Sequence, residues 1–142
     1  MKYSKYFFVP IILFLLSSCS CEKERKYTAR EMWSIAKKVD PNIELVSISN
    51  NNPGKRILCK NYGPKCIKGS GRRILVNMVE LIVVAFENEA AARTEALRIG
   101  QWYAYNWVFD DVRDEPVLEA FVKKAFEAKD AKAQWELKNT HE

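Results

Sequence analysis

The chain has 142 residues, of which 48% are apolar, and it carries a formal net charge of +5. A chain of this length can build one domain around one hydrophobic core, and its apolar content excludes disorder throughout. The positive charge is compatible with contacts to anionic surfaces, and it is divided unevenly along the sequence.

The first eighteen residues have the three regions of a secretory signal peptide. Two lysines precede an apolar run over residues 7–16, and two serines follow it. The run is about half as long as the ~20 residues that cross a bilayer, and Pro10 interrupts it. We therefore predict a signal peptide over residues 1–18 rather than a membrane-spanning helix.

The end of this signal contains a more specific motif. Leu16-Ser17-Ser18-Cys19 resembles the lipobox of bacterial lipoproteins, with a large apolar residue three positions before the cysteine and small residues between. The resemblance implies cleavage before Cys19 and lipid, including palmitate, on that cysteine. It also implies export and a stable anchor in a membrane of the cell envelope, because several acyl chains hold far better than one.

The position after the lipidated cysteine bears on the membrane. Ser20 stands where enterobacterial lipoproteins that stay in the inner membrane have aspartate. The resemblance therefore implies the outer membrane, facing the periplasm, if the cell is Gram-negative. We divide the mature chain into a charged, lipidated tether over residues 19–27, a domain over 28–128 and a polar tail over 129–142.

The domain begins with a predicted helix and a predicted strand. A capping box at Thr28 starts the helix, which ends before Asp40 and Pro41. Residues 43–49 then alternate between apolar and polar side chains, as a strand does, until an asparagine-rich turn.

The strongest strand signal lies in the middle of the chain. Residues 74–86 are rich in valine and isoleucine, and we predict one long strand, with two halves bent near residues 77–80 as the alternative. A second helix follows over residues 90–99, with Asn88 as its N-cap and Gly100 at its end.

The most aromatic stretch covers residues 101–112. A strand is favoured over a continuation of the preceding helix, and strand spacing would put Tyr103, Tyr105, Trp107 and Phe109 on one face.

A third helix completes the predicted domain. Asp111 or Asp114 is its expected N-cap, Pro116 lies in its first turn, and an apolar stripe extends to Phe126. Beyond Lys129 the stripe thins, so the tail is either a solvated helical extension or frayed.

Export determines how the cysteines are interpreted, because cysteine pairs outside the cytoplasm usually form disulfides. With Cys19 used by lipid, Cys21, Cys59 and Cys66 remain. Cys59 and Cys66 flank a turn-rich hexapeptide, and we predict a disulfide between them that closes a hairpin over residues 56–68. Cys21 is left without an assigned role.

The order of these elements is helix, strand, hairpin, long strand, helix, strand and helix. It predicts an α+β domain in which helices pack on one face of a small antiparallel sheet. The strand-helix-strand unit over residues 74–109 would make the fold ferredoxin-like in part.

One segment is strongly basic. Between Glu44 and Glu80 the chain has no acidic residue. Its basic residues are Lys55, Arg56, Lys60, Lys65, Lys68, Arg72 and Arg73. They indicate a surface for phospholipid headgroups, anionic glycans or an acidic protein partner, or else a solvated hairpin whose lysines protect an exposed sheet edge. Nucleic acid is not expected as a partner of an exported protein.

The aromatic stretch has two interpretations. Its rings either form one buried sheet face or, if exposed, a platform for glycan stacking. The platform would consist of Tyr103, Tyr105 and Trp107. The carboxylates of Asp110, Asp111 and Glu115 would then be candidate acids for glycan hydrolysis, whereas helix capping is their alternative role.

Motifs for other chemistry are missing. The sequence has no serine elbow, no cysteine-histidine pair and no phosphate-binding loop. Zinc lacks a set of four ligands, because His141 is the only histidine and lies at the far end. We therefore expect no catalytic residue, metal or cofactor.

Together these patterns predict a membrane-anchored envelope lipoprotein that is not an enzyme. Its domain would be a binding or assembly module that contacts a protein partner or an anionic surface through the basic hairpin. The alternative is a domain that binds or hydrolyses cell-wall glycan with the aromatic strand and the nearby carboxylates.

Overall fold

The computed structural model of the protein describes residues 24–140. The predicted signal peptide, the lipobox with Cys19, and also Cys21 and His141, lie outside the described residues. Within residues 24–140, no helix has both the length and the apolar character needed to cross a membrane.

The first helix, α1, spans Ala29–Val39 and begins with the predicted capping box. The backbone N–H of Glu31 donates to Thr28 Oγ1 at 3.3 Å, and the N–H of Thr28 donates to Glu31 Oε2 at 2.7 Å. Two donors that an open helix end would leave unpaired are thereby satisfied.

The residue before this helix is already part of the domain. The N–H of Tyr27 donates to Asn106 Oδ1 at 2.8 Å, and Trp107 Nε1 donates to the carbonyl of Tyr27 at 2.7 Å. The rings of Tyr27 and Tyr105 also pack together, with their centroids 4.4 Å apart. Glu24 contacts the domain as well, because its Oε1 accepts the N–H of Glu89 at 2.5 Å. The boundary between tether and domain stays a prediction.

The sheet has six strands. They are β1 (Glu44–Leu45), β2 (Arg72–Val76), β3 (Val79–Ala85), β4 (Trp102–Ala104), β5 (Trp107–Asp110) and β6 (Lys129–Asp130). All neighbouring strands are antiparallel, and their order is β1-β2-β3-β5-β4-β6. The predicted α+β class with an antiparallel sheet is therefore confirmed.

The second helix, α2, spans Glu89–Ile99 and joins two strands that β5 separates. Since β3 and β4 both pair antiparallel with β5, they run parallel to each other in a split β-α-β arrangement. Asn88 caps α2 by accepting the N–H of Ala91, and Gly100 ends it with a φ of 70°, both as predicted. The ferredoxin-like part stays a prediction.

The long strand predicted over residues 74–86 is two strands joined by a tight turn. Asn77 and Met78 have φ angles of 47° and 68°, the left-handed pair that a two-residue hairpin turn requires. The alternative of two halves is thus the correct one. The first predicted strand, over residues 43–49, is also shorter, because the chain leaves the sheet edge after the N–H of Val46 donates to Arg73 O.

The aromatic stretch is likewise a hairpin, formed by β4 and β5 around Tyr105, whose φ is 53°. The preference for strand over helix was right. The prediction that the four rings share one sheet face was wrong, because the turn interrupts the alternation of side chains between the two faces. Trp107 and Phe109 pack in the core beneath α1, whereas Tyr103 packs on the opposite face beneath α2.

Helices cover both faces of the sheet, so the prediction of one face was wrong. Leu81 and Val83 of β3 pack in one core with residues of α1 and of α3, which spans Pro116–Phe126. Ile82 and Val84 pack in a second core with residues of α2. Residues 81–85 of β3 are all apolar, and such an unbroken apolar run is typical of a sheet covered on both sides.

The C-terminal part differs from the predicted caps, whereas most of its tail is helical, which was one of the two predicted alternatives. Glu115 is the N-cap position of α3 and makes no capping side-chain bond, while Asp111 and Asp114 lie in turns with φ angles of 61° and 65°. The tail forms β6 and then α4, over Ala131–Asn139. Helix α4 packs against α2, so the tail extends the fold.

Candidate functional site

A basic groove of about 720 Å³ lies at the β1 edge of the sheet. One wall is residues 45–48, the other is residues 56–60, and residues 68–73 form the floor. Its basic residues are Arg56, Lys60, Lys68, Arg72 and Arg73. Its apolar residues include Leu45, Ile48, Ile57 and Leu58.

The disulfide that the sequence predicts is present in the wall of this groove. Cys59 and Cys66 are bonded, with their Cα atoms 5.6 Å apart. The segment that contains this bond, residues 56–68, is called the disulfide loop below. It was predicted as a hairpin, but it forms a short 3₁₀ turn at Cys59–Asn61, and no two strands pair within it.

The backbone of the disulfide loop forms only a few hydrogen bonds with the sheet and within itself. The predicted hairpin over residues 56–68 is therefore not formed. Ile67 N donates to Ala85 O and Glu87 N donates to Lys65 O, both at 2.9 Å. The second half of the loop thus follows the end of β3 and leaves the first half to form the wall of the groove.

Two contacts hold the first half of the loop in place. Ile57 packs so close to Gly71 that a Cβ atom on the glycine would lie 2.4 Å from Ile57 Cβ. The hydroxyl of Tyr62 donates to Asp110 Oδ2 at 2.9 Å. The loop therefore covers part of the sheet face on which α2 packs. Ile57 and Tyr62 pack against the hydrophobic core between that face and α2.

The arginines of the groove are held by backbone and side-chain oxygens. Arg72 Nη1 donates to the carbonyls of Gly69 and Gly71, at 2.6 and 2.7 Å. Arg73 is half-buried, forms an ion pair with Glu80, and donates from Nε to Lys55 O at 2.8 Å. These bonds fix the two guanidinium groups at the floor.

The lysines of the groove are exposed. The salt bridges within residues 24–140 involve Arg73, Arg98, Arg113 and Lys129, and neither Lys60 nor Lys68 takes part in one. No carboxylate lines the groove within the same residues. Its field is therefore positive and is concentrated by the concave walls.

The structure brings together five of the seven basic residues that the sequence singled out. Lys55 and Lys65 do not line the groove. Lys65 has a left-handed φ of 69° and borders a separate depression beside Asn88 on α2. The predicted basic surface is thus a groove with two additional lysines outside it.

Sequence reasoning missed the apolar side chains of the groove. Leu45 is 54% exposed and Leu58 is 43% exposed, although leucine is usually assigned to a core. A signal was available in the sequence, since Ile57 and Leu58 follow Arg56 within an otherwise polar and turn-rich segment.

The candidate acids Asp110, Asp111 and Glu115 do not line the basic groove, and Asp110 contacts the disulfide loop through Tyr62. Burial raises the pKa of Tyr62, and the charge of Asp110 raises it further. Partial desolvation raises the pKa of Asp111 too, and the neighbouring Asp110 adds to that effect. Asp110 accepts from Tyr62 and from the N–H of Asp111, which is a structural arrangement. Glu115 stands at the start of α3.

The predicted aromatic platform is not formed. Tyr103 and Trp107 are 2% exposed each and lie on opposite faces of the sheet, because the turn at Tyr105 lies between them. Tyr105 is half-buried against Tyr27. These rings pack in the two cores, so the predicted burial was right and the predicted single buried face was wrong. Among residues 24–140, no group of three or more metal-binding side chains is present.

The N-terminal end of the described chain lies near the groove. A depression of about 430 Å³ is bordered by residues 26–29 on one side and by Lys68, Gly69 and Arg72 on the other. Residues 26–29 therefore lie beside two of the basic residues, whereas Glu24, before them, accepts the N–H of Glu89 at the start of α2.

Fold and groove together define a small α+β domain with a positively charged cleft at a sheet edge. Comparison with protein-family models, with curated proteins and with solved structures finds no match to this chain.

Proposed function

We propose that this protein is an exported lipoprotein whose domain is a non-enzymatic binding module, and that the basic groove holds an anionic partner. One observation carries this proposal: five basic residues converge on a concave site whose described lining includes no carboxylate. A convex lysine-rich surface would serve solubility equally well, but a groove with apolar walls offers a bound group both charge and contact area.

The lipid anchor supports the same function. In the proposal, Cys19 carries the acyl chains and the domain stays at a membrane of the envelope, with the outer membrane as the expected one. Because residues 26–29 lie beside Lys68 and Arg72, a short tether before them would keep the groove near the membrane surface. Anionic headgroups and the acidic surfaces of neighbouring proteins are the partners within its reach.

Binding of tripolyphosphate tests the groove. The full-length lipoprotein in nonionic detergent would be titrated with this compact polyanion by calorimetry. The double variant Lys60→Glu with Lys68→Glu removes about 1 kcal/mol per lysine, so its dissociation constant should rise roughly thirtyfold.

The matched control is Lys55→Glu with Lys65→Glu. It changes the net charge by the same amount and alters the same segment, but neither residue lines the groove. We expect it to weaken binding only a fewfold. Equal losses in the two double variants would show that net charge, rather than the groove, binds the anion.

Acylation of Cys19 tests the anchor. Cells fed alkynyl palmitate should label the wild-type protein and the Cys21→Ala variant, whereas Cys19→Ala should carry no label. Label that survives in Cys19→Ala would refute the lipoprotein assignment without affecting the groove.

A further inference from the structure

A second cavity lies on the other side of Arg72. This apolar pocket, of about 280 Å³, is enclosed by α1, by the sheet and by Phe126 of α3. Its floor is buried and consists of Met32, Ala36, Ile74, Val83, Trp107 and Phe109. Its mouth is formed by exposed or half-buried residues that include Ala29, Trp33 and Leu45.

The mouth of the apolar pocket is positively charged. Arg30 and Arg72 are the charged residues in its lining, and both are exposed. Within residues 24–140, Arg72 donates from Nη1 alone, so the other N–H groups of its guanidinium can reach a ligand. The apolar depth and the cationic rim are complementary to a molecule with an apolar tail and an anionic head.

The apolar pocket and the basic groove are neighbours. Leu45 and Arg72 line both cavities, so a ligand whose tail fills the pocket places its head at the floor of the groove. The volume lies just below the ~300–1,000 Å³ of ordinary small-molecule sites, so the pocket has room for part of one acyl chain. A cavity lined by apolar side chains does not hold water well and takes apolar ligands readily.

We propose that the apolar pocket takes one acyl chain of an anionic phospholipid, whose phosphate is bound by Arg72 and the basic groove. This inference rests on the proposed function, because the headgroup uses the same groove and the membrane supplies the ligand. It adds the identity of the ligand class and a second cavity that the anion-binding proposal does not need.

Photo-crosslinking tests this proposal. The full-length lipoprotein would be reconstituted in phosphatidylcholine vesicles with a phosphatidylglycerol that bears a diazirine at the end of one acyl chain. We expect adducts in the tryptic peptide of α1 over residues 31–37, which contains Met32 and Ala36. Tandem mass spectrometry should place no adduct on the exposed Met78, at the tip of the β2–β3 turn, which shares a tryptic peptide with Ile74 and Val83 of the floor.

Two variants close the pocket. Ala36→Leu fills its floor, and Ala29→Trp covers its mouth from an exposed position where a larger side chain does not threaten folding. Each should lower the adduct yield roughly tenfold or more, because the chain loses its space. Neither residue lines the basic groove, so tripolyphosphate binding should stay unchanged in both.

The outcomes separate the two proposals. The acyl-chain site would be overturned if adducts at the 31–37 peptide persist in both variants. It would also be overturned if these adducts never form, and in either case anion binding in the groove would be unaffected. Equal labelling by a phosphatidylcholine with the same diazirine chain would overturn the anionic headgroup. Loss of labelling in both variants, together with a preference for phosphatidylglycerol, supports the site even if the Lys60 and Lys68 variant binds tripolyphosphate normally.

Discussion

Gly71 on the floor of the basic groove lies directly against Ile57 in its wall: a Cβ atom on Gly71 would stand 2.4 Å from both Cβ and Cγ2 of Ile57. The contact joins the disulfide loop to β2 at the point where the groove is formed. A branched side chain such as that of isoleucine cannot rotate its Cβ out of the way.

Gly71→Ala should therefore destabilise the protein and displace the wall of the groove. We expect the free energy of unfolding in urea to fall by about 1–3 kcal/mol, the usual cost of overpacking. Gly54→Ala is the control, because the nearest atom to its new Cβ, Asn52 Oδ1, would be 3.9 Å away. A Gly71→Ala protein as stable as the Gly54→Ala protein would contradict this contact.

The local signals in the sequence identified several features correctly. The capping box at Thr28, the N-cap at Asn88 and the helix stop at Gly100 are each set by a few adjacent residues, so the sequence determines them without the rest of the fold. The pairing of Cys59 with Cys66 is equally local.

Both hairpins were harder to recognise because their turns lack the usual glycine, although each contains an asparagine. Two-residue turns of this kind normally carry glycine where φ is positive, but here Met78 and Tyr105 adopt left-handed angles. Apolar and aromatic side chains at these positions look like a continuation of the strand. The two covered sheet faces were hidden for a related reason, since residues 81–86 are apolar without a break and show no alternation.

The groove could be predicted only in part. The seven basic residues were visible as a cluster, but which five of them share a cavity depends on how the disulfide loop crosses the sheet edge. That path is set by long-range contacts such as Ile57 with Gly71 and Tyr62 with Asp110.

Removal of the disulfide should loosen this same wall. The chain-entropy model for a short loop such as Cys59 to Cys66 gives a loss of roughly 2–3 kcal/mol in the free energy of unfolding. We expect a reductant to lower the urea midpoint of the wild type to that of Cys59→Ser with Cys66→Ser. The double variant should not respond to reductant, and a wild type that does not respond either would indicate free thiols.

Replacement of Asp111 by asparagine should stabilise the protein. Partial desolvation and the charge of Asp110 raise the pKa of Asp111, so its ionised form is disfavoured in the folded state. At neutral pH, Asp111→Asn removes this repulsion, and we expect a gain of about 0.5 kcal/mol. The gain should shrink as the pH falls, because a raised folded-state pKa means that the wild-type carboxyl takes up its proton first in the native state.

Asp114→Asn is the matched control for that substitution. Asp111 and Asp114 have similar left-handed φ angles, 61° and 65°, which asparagine tolerates well. A gain common to both variants reports only this backbone preference. The electrostatic explanation requires a larger gain at Asp111 that depends on pH, and equal gains at every pH would rule it out.

The bond between Tyr62 and Asp110 should give the protein a dependence on alkaline pH. Burial raises the pKa of Tyr62 above its ordinary value, and the Asp110 charge adds to the shift. Above about pH 10 the unfolded state releases a phenol proton that the folded state still holds, so stability falls as the pH rises.

Tyr62→Phe should cost about 1–2 kcal/mol at neutral pH, because Asp110 loses its hydrogen-bond donor. Above pH ~10 the wild type loses stability through this titration, whereas the variant lacks the titrating group. The free energies of unfolding of the two proteins should therefore approach each other. Urea unfolding across the alkaline range measures both curves, and a constant gap between them would mean that Tyr62 titrates normally in the folded protein.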